Sequence, residues 1–279
     1  MRLATLRVDG RTTAARLLDD RTAVELPAPD LGALLAGADW RAVAARDGAR
    51  LPVTDLAPPV PRPGKIVCVG LNYRNHILEM GRELPTHPTL FAKYAEALVG
   101  PRDDIALDPA SGAVDWEAEL AVVIGAAVRH ATEDQAAAAI AGFSALNDIT
   151  MRDWQYRTPQ WLQGKTFEGS TPFGPVLVTP DELPGGVRPA LALRCTVDGE
   201  VVQESTTADL VFDPVALVRY VSTIVTLRPG DVIATGTPGG VGHARDPRRY
   251  LRDGSTVSTE IEGIGTLTNV ARGYAPVPA

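Results

Sequence analysis

Residues 114–125 read VDWEAELAVVIG and set two glutamates, Glu117 and Glu119, two positions apart in an otherwise apolar run. On a β-strand, residues i and i+2 share one face. Two carboxylates at that spacing repel, and burying either one alone is costly. One reading is an amphipathic strand, with Asp115, Glu117 and Glu119 in water and Trp116, Ala118, Leu120 and Val122 packed inside. The other is a cation held between the carboxylates. A third carboxylate, Asp148 in SALNDITMRDWQ, follows an apolar run as a residue at the mouth of a core strand would. Taken alone, Asp148 suits a turn or helix cap better. With Glu117 and Glu119 it completes three oxygen ligands for Mg²⁺ or Mn²⁺.

His76 and Glu79 are spaced i, i+3 in NYRNHILEMG, so on a helix they share a face and are able to hydrogen-bond. An imidazole oriented by a carboxylate is a general base near neutral pH, although surface helices also carry such pairs without a role. The following GRELPTHPTL is a polar, proline-marked segment suited to folding over a site. Lys165 lies between glycines in WLQGKTFEGS, and GDVIATGTPGGVG offers backbone amides and the Thr237 hydroxyl to a small carboxylate, or forms only a tight turn. Phosphate-loop, serine-hydrolase and zinc motifs do not occur in the chain.

The elements that would position these groups are mostly short strands. Residues 1–50 read as a hairpin turning at Asp9-Gly10, a further strand near Val24 and helical pieces in DLGALLAGADWRAVAARDG. Pro52, Pro58, Pro59, Pro61 and Pro63 then mark a linker. A small N-terminal domain with its linker is therefore expected at 1–60 and a larger domain at 61–279. The helices predicted beyond it are NYRNHILEMG stopped by Gly81, TEDQAAAAIAG from Thr132 to Gly142, and DPVALVRYVSTIVTL with Pro214 in its first turn. Asp198-Gly199 predicts a hairpin. The expected class is α+β, β-rich, with peripheral helices.

Across 279 residues the formal charge is −7, which disfavours nucleic acid and anionic membranes as partners. No apolar run reaches the ~20 residues of a membrane span. The N-terminus lacks the pattern of a signal peptide, and Cys68 and Cys195 sit in strand-like runs as buried thiols, so a cytoplasmic protein is expected.

Taken in order, KIVCVGLNYRNHILEMG, FAKYAEALVGPRDDI, VDWEAELAVVIG, NDITMRDWQ, GKTFEGSTPFGP, VDGEVVQESTT and LRPGDVIATGTPGGVG resemble the fumarylacetoacetate hydrolase superfamily. The resemblance implies a mixed β-roll catalytic domain behind a small N-terminal α/β domain, and a homodimer. It implies a divalent ion on Glu117, Glu119 and Asp148, with His76 and Glu79 as a water-activating dyad on a lid. It further implies Lys165 facing a substrate oxygen, Arg152 and Gln155 lining the pocket, and Thr237 contacting the substrate carboxylate. The expected activity is hydrolysis of a C–C bond in an acylpyruvate or β-diketo acid, through a pyruvate enolate whose charge the metal and Lys165 stabilise. Decarboxylation of an oxaloacetate-like β-keto acid and isomerisation of a 2-hydroxydienoate use the same groups. A metal-binding protein without turnover is a further alternative.

Overall fold

The computed structural model describes residues 1–79 and 81–273. An eleven-stranded mixed sheet runs through the molecule, and a five-stranded sheet packs across part of one face. At the centre of the large sheet lies the strand Ala118–Ile124, antiparallel to Ile140–Asn147 on one side and to Val232–Ala234 on the other. Val232–Ala234 pairs in parallel with Ile66–Gly70, which pairs antiparallel with Thr89–Lys93. The β-rich α+β class with peripheral helices is as expected.

Every residue of Ala118–Ile124 is buried. Leu120, Val122 and Ile124 pack in the core shared with the five-stranded sheet, whereas Ala121 and Val123 belong to a second core that includes Leu31, Leu34, Leu35 and Trp40 of the first two helices. Both faces are therefore covered, so a solvated glutamate face on this strand is ruled out: Asp115, Glu117 and Glu119 are all buried.

The strands Arg2–Val8, Arg11–Leu17, Thr22–Glu25 and Arg50–Pro52 extend the large sheet as consecutive antiparallel neighbours. Arg2 and Leu3 pair with Val178 and Leu177 of the strand Thr171–Val178, so residues on both sides of the proline-rich linker share one sheet.

Local signals account for most helix ends. Thr132 and Gln135 form a reciprocal capping box, and Asp213 caps the helix Pro214–Ile224 by accepting from Ala216 N. Two boundaries differ from expectation, the first at Pro52, which pairs with Thr22 in the strand Arg50–Pro52 instead of opening the linker. The helix after Thr132 ends at Ala139, and Gly142 belongs to the next strand instead of closing the helix. A Cβ at Gly142 would lie 2.3 Å from Val178 O, so this glycine permits close strand approach.

Candidate metal centre and cleft

Two strand ends meet in the middle of the large sheet. Glu117 immediately precedes Ala118–Ile124, and Asp148 follows Ile140–Asn147, with Ala118 paired to Asn147. Asp148 N donates to Glu117 O at 2.8 Å, and Glu117 N donates to Asn147 Oδ1 at 2.9 Å. These bonds bring together two carboxylates that lie 31 positions apart in the chain. A ligand oxygen from each of Glu117, Glu119 and Asp148 lies within 4.8 Å of the other two, and all three residues are buried.

Cations surround two of the three. Lys165 Nζ donates to Glu117 Oε2 at 2.7 Å and Asp148 Oδ2 at 2.8 Å. Arg152 Nη1 lies 2.7 Å from Glu117 Oε1, and Lys93 Nζ lies 2.9 Å from Asp148 Oδ1. Lys93 also donates to the backbone carbonyls of Ile149 and Lys165. Burial works against the charge on Asp148, but Lys165 and Lys93 outweigh it and hold its carboxyl below the usual range. Burial likewise opposes the ammonium of Lys165, while Asp148 and Glu117 push its pKa upward and keep it charged.

Glu119 is different. It accepts from Gly236 N at 2.8 Å, and among the described residues no ion pair reaches it. Burial, with Asp148 and Glu117 nearby, drives its carboxyl well above the ordinary range. A buried, uncompensated carboxylate beside two others is a donor set that fits a hard divalent cation. Gly236 makes its bond from a positive φ of 98°, and an added Cβ would sit 2.9 Å from Val69 O.

Above these carboxylates opens a cleft of about 340 Å³, lined by His76, Glu117, Arg152, Gln155, Lys165 and Thr237 together with Phe91, Tyr156, Trp161 and His243. Of the residues singled out in the sequence, six thus line the cleft. Glu119 and Asp148 do not line it but adjoin Glu117, which does, and Glu79 lines a neighbouring depression that shares His76. His76 packs against the turn at Gly239, and burial lowers its pKa against the opposing effect of Glu79 and Glu117. His76 and Glu79 share the helix Arg74–Glu79, but no hydrogen bond joins them among the described residues.

Thr237 Oγ1 donates to Ala118 O at 2.9 Å and accepts from Gln203 Nε2 at 2.8 Å. Arg152 Nε donates to Asp115 Oδ2 at 2.7 Å and Nη1 to Gln155 Oε1 at 2.9 Å, while its buried Nη2 has no partner in the chain. Lys165 Nζ also stands over the Phe91 ring, 4.9 Å from its centroid, and Phe91 meets Trp161 edge to face.

Sequence reasoning missed Lys93, Asn147 and Gln203, and gave Asp115 only a solvated reading, whereas all four are buried. Asn147 and Gln203 satisfy the backbone N–H groups of Glu117 and Ala118. Polar residues inside strand-like segments were the available signal, since such groups must find partners when buried.

The fumarylacetoacetate (FAA) hydrolase C-terminal family profile matches residues 65–272. Human mitochondrial oxaloacetate tautomerase FAHD2A is 47% identical over 222 residues, spanning 79% of this chain and 70% of that protein. Among solved structures, a putative HpcE protein from Mycobacterium smegmatis superposes with a TM-score of 0.88 at 38% identity, covering 99% of this chain and 100% of that one. The fumarylacetoacetate hydrolase of Exiguobacterium antarcticum gives 0.87 at 33% identity over 98% and 100%. With the sequence motifs, the carboxylate cluster and the fold in agreement, the chain belongs to the fumarylacetoacetate hydrolase family.

Proposed function

We propose that this protein moves a proton between the enol and keto forms of an oxaloacetate-like 2-oxo acid. The observation that carries the reading is a neutral imidazole, His76, in the same cleft as a buried ammonium, Lys165, that stays charged. The oxaloacetate tautomerase name of the 47% identical human protein supports the same chemistry.

Glu117, Glu119 and Asp148 would hold Mg²⁺ or Mn²⁺, which when bound supplies a Lewis acid for the substrate oxygens. Lys165 Nζ presents a fixed positive charge to the 2-oxygen, where negative charge grows as the enol loses its proton. His76 takes the O–H proton at Nε2 and returns it to C3, so the reaction neither gains nor loses atoms. The free Nη2 of Arg152 orients a carboxylate oxygen, Thr237, whose hydroxyl proton is held by Ala118 O, shapes the cleft wall beside it, and Phe91 and Trp161 limit water at the reacting carbon. Residues 61–279 carry this chemistry, and 1–60 brace the sheet behind it.

Hydrolysis of an acylpyruvate C–C bond is the second reading, favoured by the proximity of Glu79 to His76, which raises the imidazole's basicity against burial. Rotation of either side chain would complete a dyad able to activate water. Decarboxylation of oxaloacetate passes through the same enolate. The protein is further proposed to be a homodimer. The buried thiols of Cys68 and Cys195 suit the cytoplasm, and equally the mitochondrial compartment named for the curated relatives.

Three assays on one Mg²⁺-loaded preparation test the proposal: decay of enol-oxaloacetate absorbance, pyruvate release from oxaloacetate, and pyruvate release from acetylpyruvate. Acceleration of enol decay beyond both pyruvate-forming reactions is expected. Cleavage of acetylpyruvate with no acceleration of enol decay would overturn it in favour of hydrolysis.

A further inference from the structure

His243 lies immediately beyond the TGTPGGVG stretch and outside every motif that carried the family resemblance, yet it lines the cleft. Its position is built. Asp115, wholly buried, accepts from Gly242 N at 2.7 Å and from His243 N at 2.9 Å. The same Asp115 Oδ2 accepts from Arg152 Nε at 2.7 Å. One carboxylate thus holds the His243 backbone and the Arg152 guanidinium side by side.

Both groups have a nitrogen without a partner among the described residues. Arg152 Nη2 is buried and unpartnered, although its neighbours Nε and Nη1 are fully engaged. His243 Nδ1 lies 2.8 Å from Tyr250 Oη, and Nε2 makes no hydrogen bond among the described residues. With the Tyr250 hydroxyl donating to Nδ1, the neutral ring carries its proton on Nε2 and is a donor. The Tyr156 ring, 5.1 Å away and also lining the cleft, limits the tilt of the imidazole.

We propose that His243 Nε2, beside Arg152 Nη2, binds the second carboxylate of a dicarboxylic 2-oxo acid and thereby selects such substrates over monocarboxylic ones. This rests on the oxaloacetate reading for the substrate's head group and adds the residue that recognises its tail. An unsatisfied guanidinium nitrogen in a buried wall calls for an anion, and a neutral imidazole N–H beside it adds a directional donor without adding charge. Tyr250 is the positioning residue that fixes the ring's tautomer. Arg82, the remaining arginine lining the cleft, is the competing anchor for that carboxylate.

Calorimetric binding in Mg²⁺ of oxaloacetate and of 2-oxobutanoate, which carries a methyl group in place of the second carboxylate, tests this in wild type, His243→Ala, Tyr250→Phe and Arg82→Ala. Wild type should prefer oxaloacetate. His243→Ala should weaken oxaloacetate about 10- to 100-fold, as expected for losing a hydrogen bond to a charged group, and leave 2-oxobutanoate unchanged. Tyr250→Phe should give a smaller loss of the same selectivity and guards against misfolding of the alanine variant. Equal weakening of both ligands, an unchanged ratio, or loss of selectivity only in Arg82→Ala would overturn the assignment. Selective binding by a wild-type protein that does not accelerate enol decay would overturn the tautomerase reading and support the subsite.

Discussion

Lys93 Nζ stands 2.9 Å from Asp148 Oδ1, with both side chains fully buried. The lysine also donates to the backbone carbonyl of Lys165, so a single ammonium ties a cluster carboxylate to the segment carrying the cleft's other lysine. Removing one member of a buried pair leaves its partner's charge uncompensated. Lys93→Met should therefore destabilise the protein by about 3–5 kcal/mol, measured by urea denaturation. A loss below about 1 kcal/mol would mean that Lys165 alone satisfies Asp148.

Glu119 predicts opposite effects in the presence and absence of metal. Without metal, Glu119→Gln removes a buried carboxylate with no cationic partner, so stability should hold or rise. With Mn²⁺ the wild type should gain stability by linkage, about 2.7 kcal/mol at a hundredfold excess over Kd, and Glu119→Gln should gain almost none. Thermal melts with and without Mn²⁺ measure both. An equal Mn²⁺ shift in the two proteins would remove Glu119 from the ligand set.

His76 sets the expected pH dependence. Burial lowers its pKa from the ordinary 6.5. The neutral base therefore persists as pH falls through 6.5 and is lost only on approaching the lowered value. The acid limb of kcat/KM should lie below pH 6.5 in wild type and vanish in His76→Asn. The sign for stability is the same: the contribution of neutral His76 is complete above 6.5 and lost as pH falls through the folded-state pKa. An acid limb retained in His76→Asn would transfer the titration to another group.

Lys165 and His76 should separate in their effects on the two chemistries. Lys165→Met removes charge stabilisation common to enol decay and decarboxylation, so kcat and kcat/KM should fall for both. His76→Ala should cost enol decay about 10²–10⁴-fold, as for loss of a general acid–base, and spare decarboxylation more. Parallel assays on both variants decide this; equal losses in His76→Ala would remove its shuttle role.

Much of this site was legible in the sequence because its carboxylates, lysine and histidine sit in ordered local motifs. The polar–apolar alternation of residues 115–122 was misleading, since a strand in the middle of a sheet covered on both faces has no wet side. The roles of Lys93 and Asp115 were not legible because their partners, Asp148 and Arg152, lie 55 and 37 positions away, distances that local periodicity does not encode. Gly142 read as a helix stop because the requirement it meets, close passage of Val178, exists only in the assembled sheet. Glu79 shared the helix with His76 as its spacing predicts, but side-chain rotation is not fixed by spacing.

The antiparallel pairing of Arg2 and Leu3 with Val178 and Leu177 bears on how the chain tolerates cutting. Without residues 1–60, the Thr171–Val178 strand would lose a neighbour along part of its length. Ala121, Val123 and Phe173 would also lose the apolar cover supplied by Leu31, Leu34, Leu35 and Trp40. A bare backbone edge beside uncovered hydrophobic surface is a template for association with other chains. A catalytic fragment trimmed at the proline-rich linker should therefore aggregate, even with every cleft residue intact.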